Sequence, residues 1–198
     1  DWLTELLRQC AHPGGAAICG AMLWYPDETI QHAGIVTGLG GYAGHSHKYK
    51  KKGGSGYLFR TSTVQDFSGV TGACLLVKTA VYDEMHGLDE QFAVAFNDVD
   101  FCLRVRDAGY RIAWTPYAEL IHYESKSRGG DEKDPVKAAR FAAEQQRLYT
   151  IHGKENILDD PYYNPNLTRD REDFSESDDL RRLKEGRVTV RFRGGTLQ

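Results

Sequence analysis

Hydrophobic and polar positions follow helix-like and strand-like periods along most of the chain. Residues 2–10 have the spacing of an amphipathic helix, and residues 16–24 form a continuous apolar run that is typical of a buried strand. The same pattern predicts four further strands and three further helices. The strands are expected at residues 30–36, 70–77, 110–114 and 118–122, and the helices at residues 79–85, 97–109 and 135–152.

Strands that alternate with helices predict an α/β layered architecture. The chain has 198 residues, of which 40% are apolar, so it can bury one substantial core. We assign the periodic residues 1–158 to one domain and expect the polar residues 159–198 to wrap the surface or to be partly disordered. A helix that starts at the first residue is typical of a fragment of a longer domain.

A glycine-rich, basic stretch covers residues 38–56 and has no period. We expect a long mobile loop here, because loops of that length in compact domains tend to be functional or disordered. His45 and His47 are separated by one residue in this stretch. Four lysines follow them closely in the sequence: Lys48, Lys50, Lys51 and Lys52. Contact with an acceptor or phosphate and simple solvation of the charges both stay open as interpretations.

Charge, hydropathy and cysteine spacing restrict which binding partners and which cellular compartment we expect for this protein. The formal charge is −3 with both signs interspersed, which argues against nucleic acid as the principal partner. No apolar stretch approaches the roughly 20 residues that cross a bilayer, so any membrane contact is expected to be peripheral, at the inner face. Four widely spaced cysteines without a C-x-x-C pair are typical of free buried thiols, and we expect a cytoplasmic protein.

The helix at residues 97–109 begins with an acid in an unusual place. Asn97 is expected to be the N-cap, and at about 100° per residue Asp98 falls within the apolar arc. Asp100 and Arg104 fall on the opposite, polar side. A carboxylate that faces inward at a helix N-terminus is stabilised by the free amides and the helix dipole. Such a group suits a general base, although acids in a first turn often only cap the helix.

Residues 67–125 resemble family 2 glycosyltransferases of the GT-A fold. The matching elements are T-G-A at residues 71–73, G-L-D-E-x-F at 87–92, N-D-V-D at 97–100 with its L-R and A-G-Y-R continuation, and a terminal His122. The segments YPDETIQHAGIV and DPYYNPNLTRDREDF also resemble one branch of that family. The resemblance implies the carboxyl-terminal, acceptor-side portion of a Rossmann-like α/β/α sandwich with a mixed sheet.

The resemblance implies inverting transfer of a sugar from a nucleotide diphosphate donor to a hydroxyl of a glycan or lipid-linked acceptor. Asp98 would be the base. Asn97 stands where the family often has Glu, which weakens the case for a second carboxylate. We place Asn97 and Asp100 among the substrate-binding candidates, although Asp100 with Arg104 forms an ordinary surface pair by its spacing. Gly72 and Ala73 would let the backbone approach the sugar, and close packing explains them nearly as well.

The metal site that the resemblance implies is incomplete in this chain. His122 would coordinate Mg²⁺ or Mn²⁺ together with a D-x-D motif of the nucleotide-binding half, and that motif is missing here. One imidazole holds such a hard cation weakly, so the chain is expected to be inactive alone. Ser125 and Arg128 would close over the donor's diphosphate, or form a plain flexible loop.

Two alternative functions place the chain in other classes of protein. One is a non-catalytic carbohydrate-binding or interaction module that retains the fold, and the other is a nucleotide-dependent enzyme such as a nucleotidyltransferase. If half of the domain is missing, a sheet edge is exposed, and pairing of that edge would give a homodimer.

Overall fold

The computed structural model describes residues 1–123 and 134–178, together with two short strands near the carboxyl end. The fold is mixed α/β and Rossmann-like, as predicted. Its helices are α1 (Trp2–Cys10), α2 (Thr79–Glu84), α3 (Asn97–Asp107), α4 (Pro135–His152) and α5 (Lys154–Leu158). Its strands are β1 (Ile18–Trp24), β2 (Ile30–His32), β3 (Ile35–Thr37), β4 (Ala43–His45), β5 (Gln65–Asp66), β6 (Leu75–Val77), β7 (Ile112–Ile121), β8 (Arg191–Phe192) and β9 (Gly195–Thr196).

The central sheet is built around β1, the apolar run that the sequence predicts as a buried strand. Among the described residues its order is β2-β1-β7-β5, with β6 also paired to β1. Only the β1–β7 pairing is parallel, and β2, β5 and β6 run antiparallel to their neighbours. Helix α1 packs on β1 and β7, and Leu6 and Cys10 of its inner face are buried. Helix α1 thus buries its apolar face against the sheet.

Several predicted strands differ from the observed ones in their bounds. The two strands predicted at residues 110–114 and 118–122 form the single strand β7, because the register shift against β1 between Ala21 and Met22 accommodates Pro116. The strand predicted at residues 70–77 is observed only as β6, at its carboxyl end. The remainder is a turn that brings Gly72 to helix α3.

The strand predicted at residues 30–36 is divided into β2 and β3 at Gly34. Gly34 has φ of +96°, a backbone conformation that L side chains rarely adopt. A Cβ atom at Gly34 would also lie 2.5 Å from the ring of Phe67, which is fully buried. The close approach of this ring explains why a glycine interrupts an otherwise apolar strand.

Replacing Gly34 by alanine is expected to destabilise the fold through the strained positive φ and through the close contact of the new Cβ with Phe67. The matched control is Gly53→Ala, since Gly53 has nearly the same φ of +94° but has no atom within 4 Å of an added Cβ. We expect Gly34→Ala to lower the free energy of unfolding by about 1–3 kcal/mol more than Gly53→Ala, the cost of overpacking a core. Urea unfolding measures both values, and equal losses would contradict the packing argument.

The glycine-rich stretch at residues 38–56 is ordered, and the prediction of a mobile loop is wrong. His47 is 2% exposed and stacks on Phe174 with ring centroids 4.2 Å apart. Its Nδ1 lies 2.6 Å from the Ser46 hydroxyl, and its Nε2 accepts a hydrogen bond from the Tyr57 amide at 3.0 Å. Burial lowers the pKa of His47 to about 4. His47 is therefore a structural residue of this segment.

The polar segment that begins at residue 159 wraps the fold as far as it is described, to residue 178. It also contributes to the core, since Tyr163, Leu167 and Phe174 are buried in the main hydrophobic cluster. Asp160 is fully buried and accepts hydrogen bonds from the amide and hydroxyl of Thr37 at 2.7 and 3.2 Å. The division of the chain at residue 158 stays a prediction.

The structure bears on two expectations from composition, one about the cysteines and one about membrane-spanning helices. All four cysteines are free, and Cys10, Cys19 and Cys102 are buried. Burial raises the pKa of both Cys19 and Cys102 to about 12, so neither is a reactive thiolate. Within residues 1–123 and 134–178, no helix is both long enough and apolar enough to cross a bilayer.

Candidate functional site

A pocket of about 840 Å³ lies where the turn at residues 71–73 meets the start of α3. Strand β4 and the residue after β7 also line it. Three aromatic rings form a contiguous part of the lining. Tyr42, Phe96 and Phe141 pack against one another with ring centroids 5.1 to 5.5 Å apart. Apolar rings beside a few polar groups are typical of a small-molecule site.

Asp98 projects into this pocket from the first turn of α3. Its Oδ2 accepts a hydrogen bond from the Gly72 amide at 2.8 Å, and its Oδ1 accepts one from the Val99 amide at 2.9 Å. The side chain is half-buried. The inward orientation predicted from the helical period is therefore observed, and the carboxylate is held between two backbone amides at a pocket wall.

The residues before α3 hold Asp98 in place. The helix begins at Asn97, and Phe96 precedes it in a left-handed conformation with φ of +64°. Asn97 is thus one residue inside the helix rather than the N-cap, although its Oδ1 does accept a first-turn amide, that of Asp98, at 2.7 Å. The buried carboxylate of Glu144 on α4 accepts hydrogen bonds from the amides of Val94 and Ala95. Helix α4 thereby anchors the turn that presents Asp98.

Gly72, Ala73 and Asn97 all line the pocket, as the substrate-binding role predicted for them requires. A Cβ atom at Gly72 would lie 3.5 Å from the Cβ of Asp98, an ordinary contact. Gly72 is therefore placed against Asp98 by its amide hydrogen bond rather than by an absolute need for glycine. Ser125 and Arg128, the other predicted donor-binding residues, lie outside the described residues.

The interpretation of Asp100 as a member of an ordinary surface pair is wrong. Asp100 is 1% exposed, and its Oδ2 binds the guanidinium of Arg104 at 2.8 and 2.9 Å. Its Oδ1 lies 2.8 Å from Nε2 of His152 on α4, which covers the side of α3 that the helical period marks as polar. Asp100 therefore joins two helices, and it is not among the residues that line the pocket.

His122 lines the same pocket as Asp98, directly after β7. Its backbone amide donates to the Trp24 carbonyl at 2.9 Å, which fixes the chain at this point. The Nδ1 atom of the ring is buried, and none of the described groups forms a hydrogen bond with it. An orphaned buried nitrogen is uncommon in a native fold and points to a ligand.

Two polar residues of the pocket, Gln31 and Glu172, were missed as site residues by the sequence reasoning, and a third, His45, was weighed only for contact with an acceptor or phosphate. His45 lines the pocket and its Nδ1 lies 2.9 Å from Nδ1 of His32, which is fully buried. Gln31 lines the pocket while being 2% exposed. Glu172 lies there beside Lys48, and burial raises the pKa of Glu172 although the Lys48 charge opposes the shift. The I-Q-H-A-G segment was quoted for its resemblance only, and its polar pair within an apolar strand was the available signal.

The chain is 47% identical over 175 residues to the uncharacterized protein y4gI of Sinorhizobium fredii, and this match covers 88% of the chain and 19% of that protein. It is 35% identical over 169 residues to the O-antigen biosynthesis protein RfbC of Myxococcus xanthus, covering 85% of the chain and 13% of RfbC. No protein-family model matches the chain.

A shorter match joins the chain to the N-acetylglucosaminyl-diphospho-decaprenol L-rhamnosyltransferase of Mycobacterium tuberculosis. The two are 32% identical over 80 residues, which cover 40% of the chain and 24% of that enzyme. The chain thus spans less than a quarter of the length of each of these relatives. Two of the three names are those of proteins of glycan synthesis, and they suggest a glycosyltransferase family.

Proposed function

We propose that this chain is the acceptor-side portion of a family 2, inverting glycosyltransferase of the GT-A fold. The observation that carries the proposal is the placement of the Asp98 carboxylate and the orphaned His122 nitrogen in one pocket of a Rossmann-like α/β fold. The similarity to proteins named for O-antigen biosynthesis and rhamnosyl transfer supports glycan synthesis in general. The substrates are a nucleotide-sugar and a glycan or lipid-linked acceptor.

Asp98 is the base in the proposed reaction. An acceptor hydroxyl has too high a pKa to attack the anomeric carbon unaided, and the Asp98 carboxylate takes its proton as the new carbon–oxygen bond forms. The bond from the anomeric carbon to the diphosphate breaks in the same displacement, and the nucleotide diphosphate leaves with the electron pair. The amides of Gly72 and Val99 hold the carboxylate in position before and after proton transfer.

His122 fits the role of one ligand to a divalent cation, because it has an unpartnered nitrogen at the pocket. It does not suffice alone, since the described residues hold no group of three side chains that could bind a metal ion. We propose that oxygen ligands from a D-x-D motif outside this chain complete the coordination. Mg²⁺ or Mn²⁺ so bound would offset the charge on the departing diphosphate.

His122→Ala is expected to weaken metal binding by the full-length protein without unfolding it. Loss of a residue that merely supports a ligand typically costs about 10- to 100-fold in metal affinity, so loss of a ligand should raise the Mn²⁺ concentration for half-maximal transfer at least about tenfold. The matched control is His12→Ala, because His12 is exposed and remote from the pocket lining. An unchanged metal requirement in His122→Ala would remove His122 from the metal site.

The direct test is an assay of the full-length protein with a panel of nucleotide-sugars and a lipid-linked or glycan acceptor. Transfer of the intact glycosyl group, with release of a nucleoside diphosphate, is the expected result. Transfer of the nucleotide instead would establish a nucleotidyltransferase. Binding of sugars without any transfer would establish a carbohydrate-binding module. A homodimer, a cytoplasmic location and contact with the inner membrane face stay predictions.

A further inference from the structure

The pocket is lined by a buried glutamine, Gln31, and by His45, which pairs with the buried His32 behind it; the proposed chemistry uses none of the three. Gln31 and His32 belong to β2, and His45 is the last residue of β4. The Nδ1 atoms of the two histidines are 2.9 Å apart. One of these two atoms must therefore carry a proton and the other must accept it.

Backbone amides determine which nitrogen of His32 is protonated. The amides of Gly34 and Thr71 donate to its Nε2 at 3.3 and 3.4 Å. A ring nitrogen that accepts hydrogen bonds carries no proton, so neutral His32 has its proton on Nδ1. A ring that accepts at Nε2 and donates at Nδ1 is neutral, and burial acts in the same direction by lowering the pKa of His32.

The tautomer of His45 follows from that of His32. Because Nδ1 of His32 donates, Nδ1 of His45 must accept, and neutral His45 then carries its proton on Nε2. This nitrogen lies across the ring from His32, in a half-buried side chain that lines the pocket. Neutral His45 is thus a hydrogen-bond donor through Nε2.

Gln31 provides an independent observation, of a hydrogen-bond acceptor rather than a donor. Its side chain is 2% exposed and lines the pocket, and no described group donates a hydrogen bond to its Oε1 atom. Buried polar atoms are nearly always paired in native proteins. An unpaired acceptor at a pocket wall therefore indicates that a ligand supplies the missing donor.

We propose that Gln31 and His45 form a subsite for the hydroxyl groups of a sugar ring, with His32 as the residue that positions His45. The proposal rests on the proposed sugar-transfer function and names the chemistry that the pocket recognises. A hydroxyl donates to Gln31 Oε1, and a hydroxyl oxygen accepts from His45 Nε2–H. A fully ionised phosphate has no proton for Gln31, so this subsite favours hydroxyl groups over the phosphate contact that the basic segment left open.

The first test reads the tautomers directly and requires no transfer activity. Long-range proton–nitrogen NMR correlations of the histidine rings at neutral pH show which nitrogen is protonated. We expect Nδ1–H for His32 and Nε2–H for His45. His47 is the internal reference, since its Nε2 accepts from the Tyr57 amide and it should also be Nδ1–H. A proton on Nδ1 of His45, or a doubly protonated ring, would overturn the proposal while leaving the role of Asp98 intact.

The second test measures binding to the full-length protein. The probes are the methyl glycosides of glucose, N-acetylglucosamine and rhamnose, with dimethyl phosphate, an anion that has no proton to donate, as the competing phosphate. We expect a glycoside to shift the His45 and Gln31 side-chain resonances. His45→Gln retains an N–H donor near the Nε2 position and should bind, whereas His45→Leu and Gln31→Met should raise Kd at least tenfold and His12→Leu should not. Equal losses in His45→Gln and His45→Leu, a larger response to phosphate, or no glycoside response would each contradict the subsite.

Discussion

Asp98→Asn is expected to lower kcat for sugar transfer by the full-length protein about 10²- to 10⁴-fold, the usual contribution of a positioned general base. The substitution preserves the shape of the side chain but removes its capacity to accept the acceptor's proton. KM for both substrates should change little, because the carboxylate acts mainly in the transition state. Steady-state kinetics with each substrate varied in turn would measure both effects.

The control for this substitution lies on the same helix. Asp107→Asn changes an exposed carboxylate at the other end of α3, paired only with the adjacent Arg106 among the described contacts, and should leave kcat unchanged. Asp98→Asn also places an amide NH₂ near a backbone N–H, so its unfolding should be measured alongside. If the folded Asp98→Asn protein transfers sugar within a few-fold of the wild-type rate, Asp98 is not the base.

Local hydrophobic patterns predicted the elements that short-range sequence marks. Helix α1 was placed from its apolar spacing and strand β1 from its continuous apolar run, and both were confirmed within two residues at each end. The inward orientation of Asp98 followed from the helical period. These features depend on short-range sequence alone, which explains why they could be predicted.

The contacts that the sequence did not predict are those between distant segments. The stretch at residues 38–56 has no period, yet it is held by the stacking of His47 on Phe174. The His32–His45 pair joins two strands across 13 residues, and although a polar residue in an apolar strand marks His32, no local pattern identifies His45 as its partner. The polar side of α3 was assigned to solvent because the helical period does not show that α4 covers it. Only the three-dimensional arrangement gives Asp100 its partner His152.

Asp100→Ala is expected to be the most destabilising of the substitutions considered, lowering the free energy of unfolding by about 3 kcal/mol. The loss arises because Arg104 and the nearly buried His152 would keep their polar groups without the carboxylate that now binds both. Among the groups that the structure describes, Arg104 would retain its hydrogen bonds to the Met85 and Gly87 carbonyls. Asp107→Ala, which removes an exposed carboxylate from the same helix, should change stability by less than about 1 kcal/mol.

The pH dependence of this difference tests whether the charge of Asp100 is responsible. Burial alone would raise the pKa of Asp100, but hydrogen bonds from His152 and Arg104 outweigh it and hold the pKa below the ordinary 3.8. The ionised group therefore stabilises the fold fully above about pH 3.8, and this contribution is lost as the pH falls through the lower, folded-state pKa. Urea unfolding at neutral and acidic pH should show the gap between wild type and Asp100→Ala narrowing toward the acid end. A gap that is independent of pH would mean that packing, rather than charge, accounts for the role of Asp100.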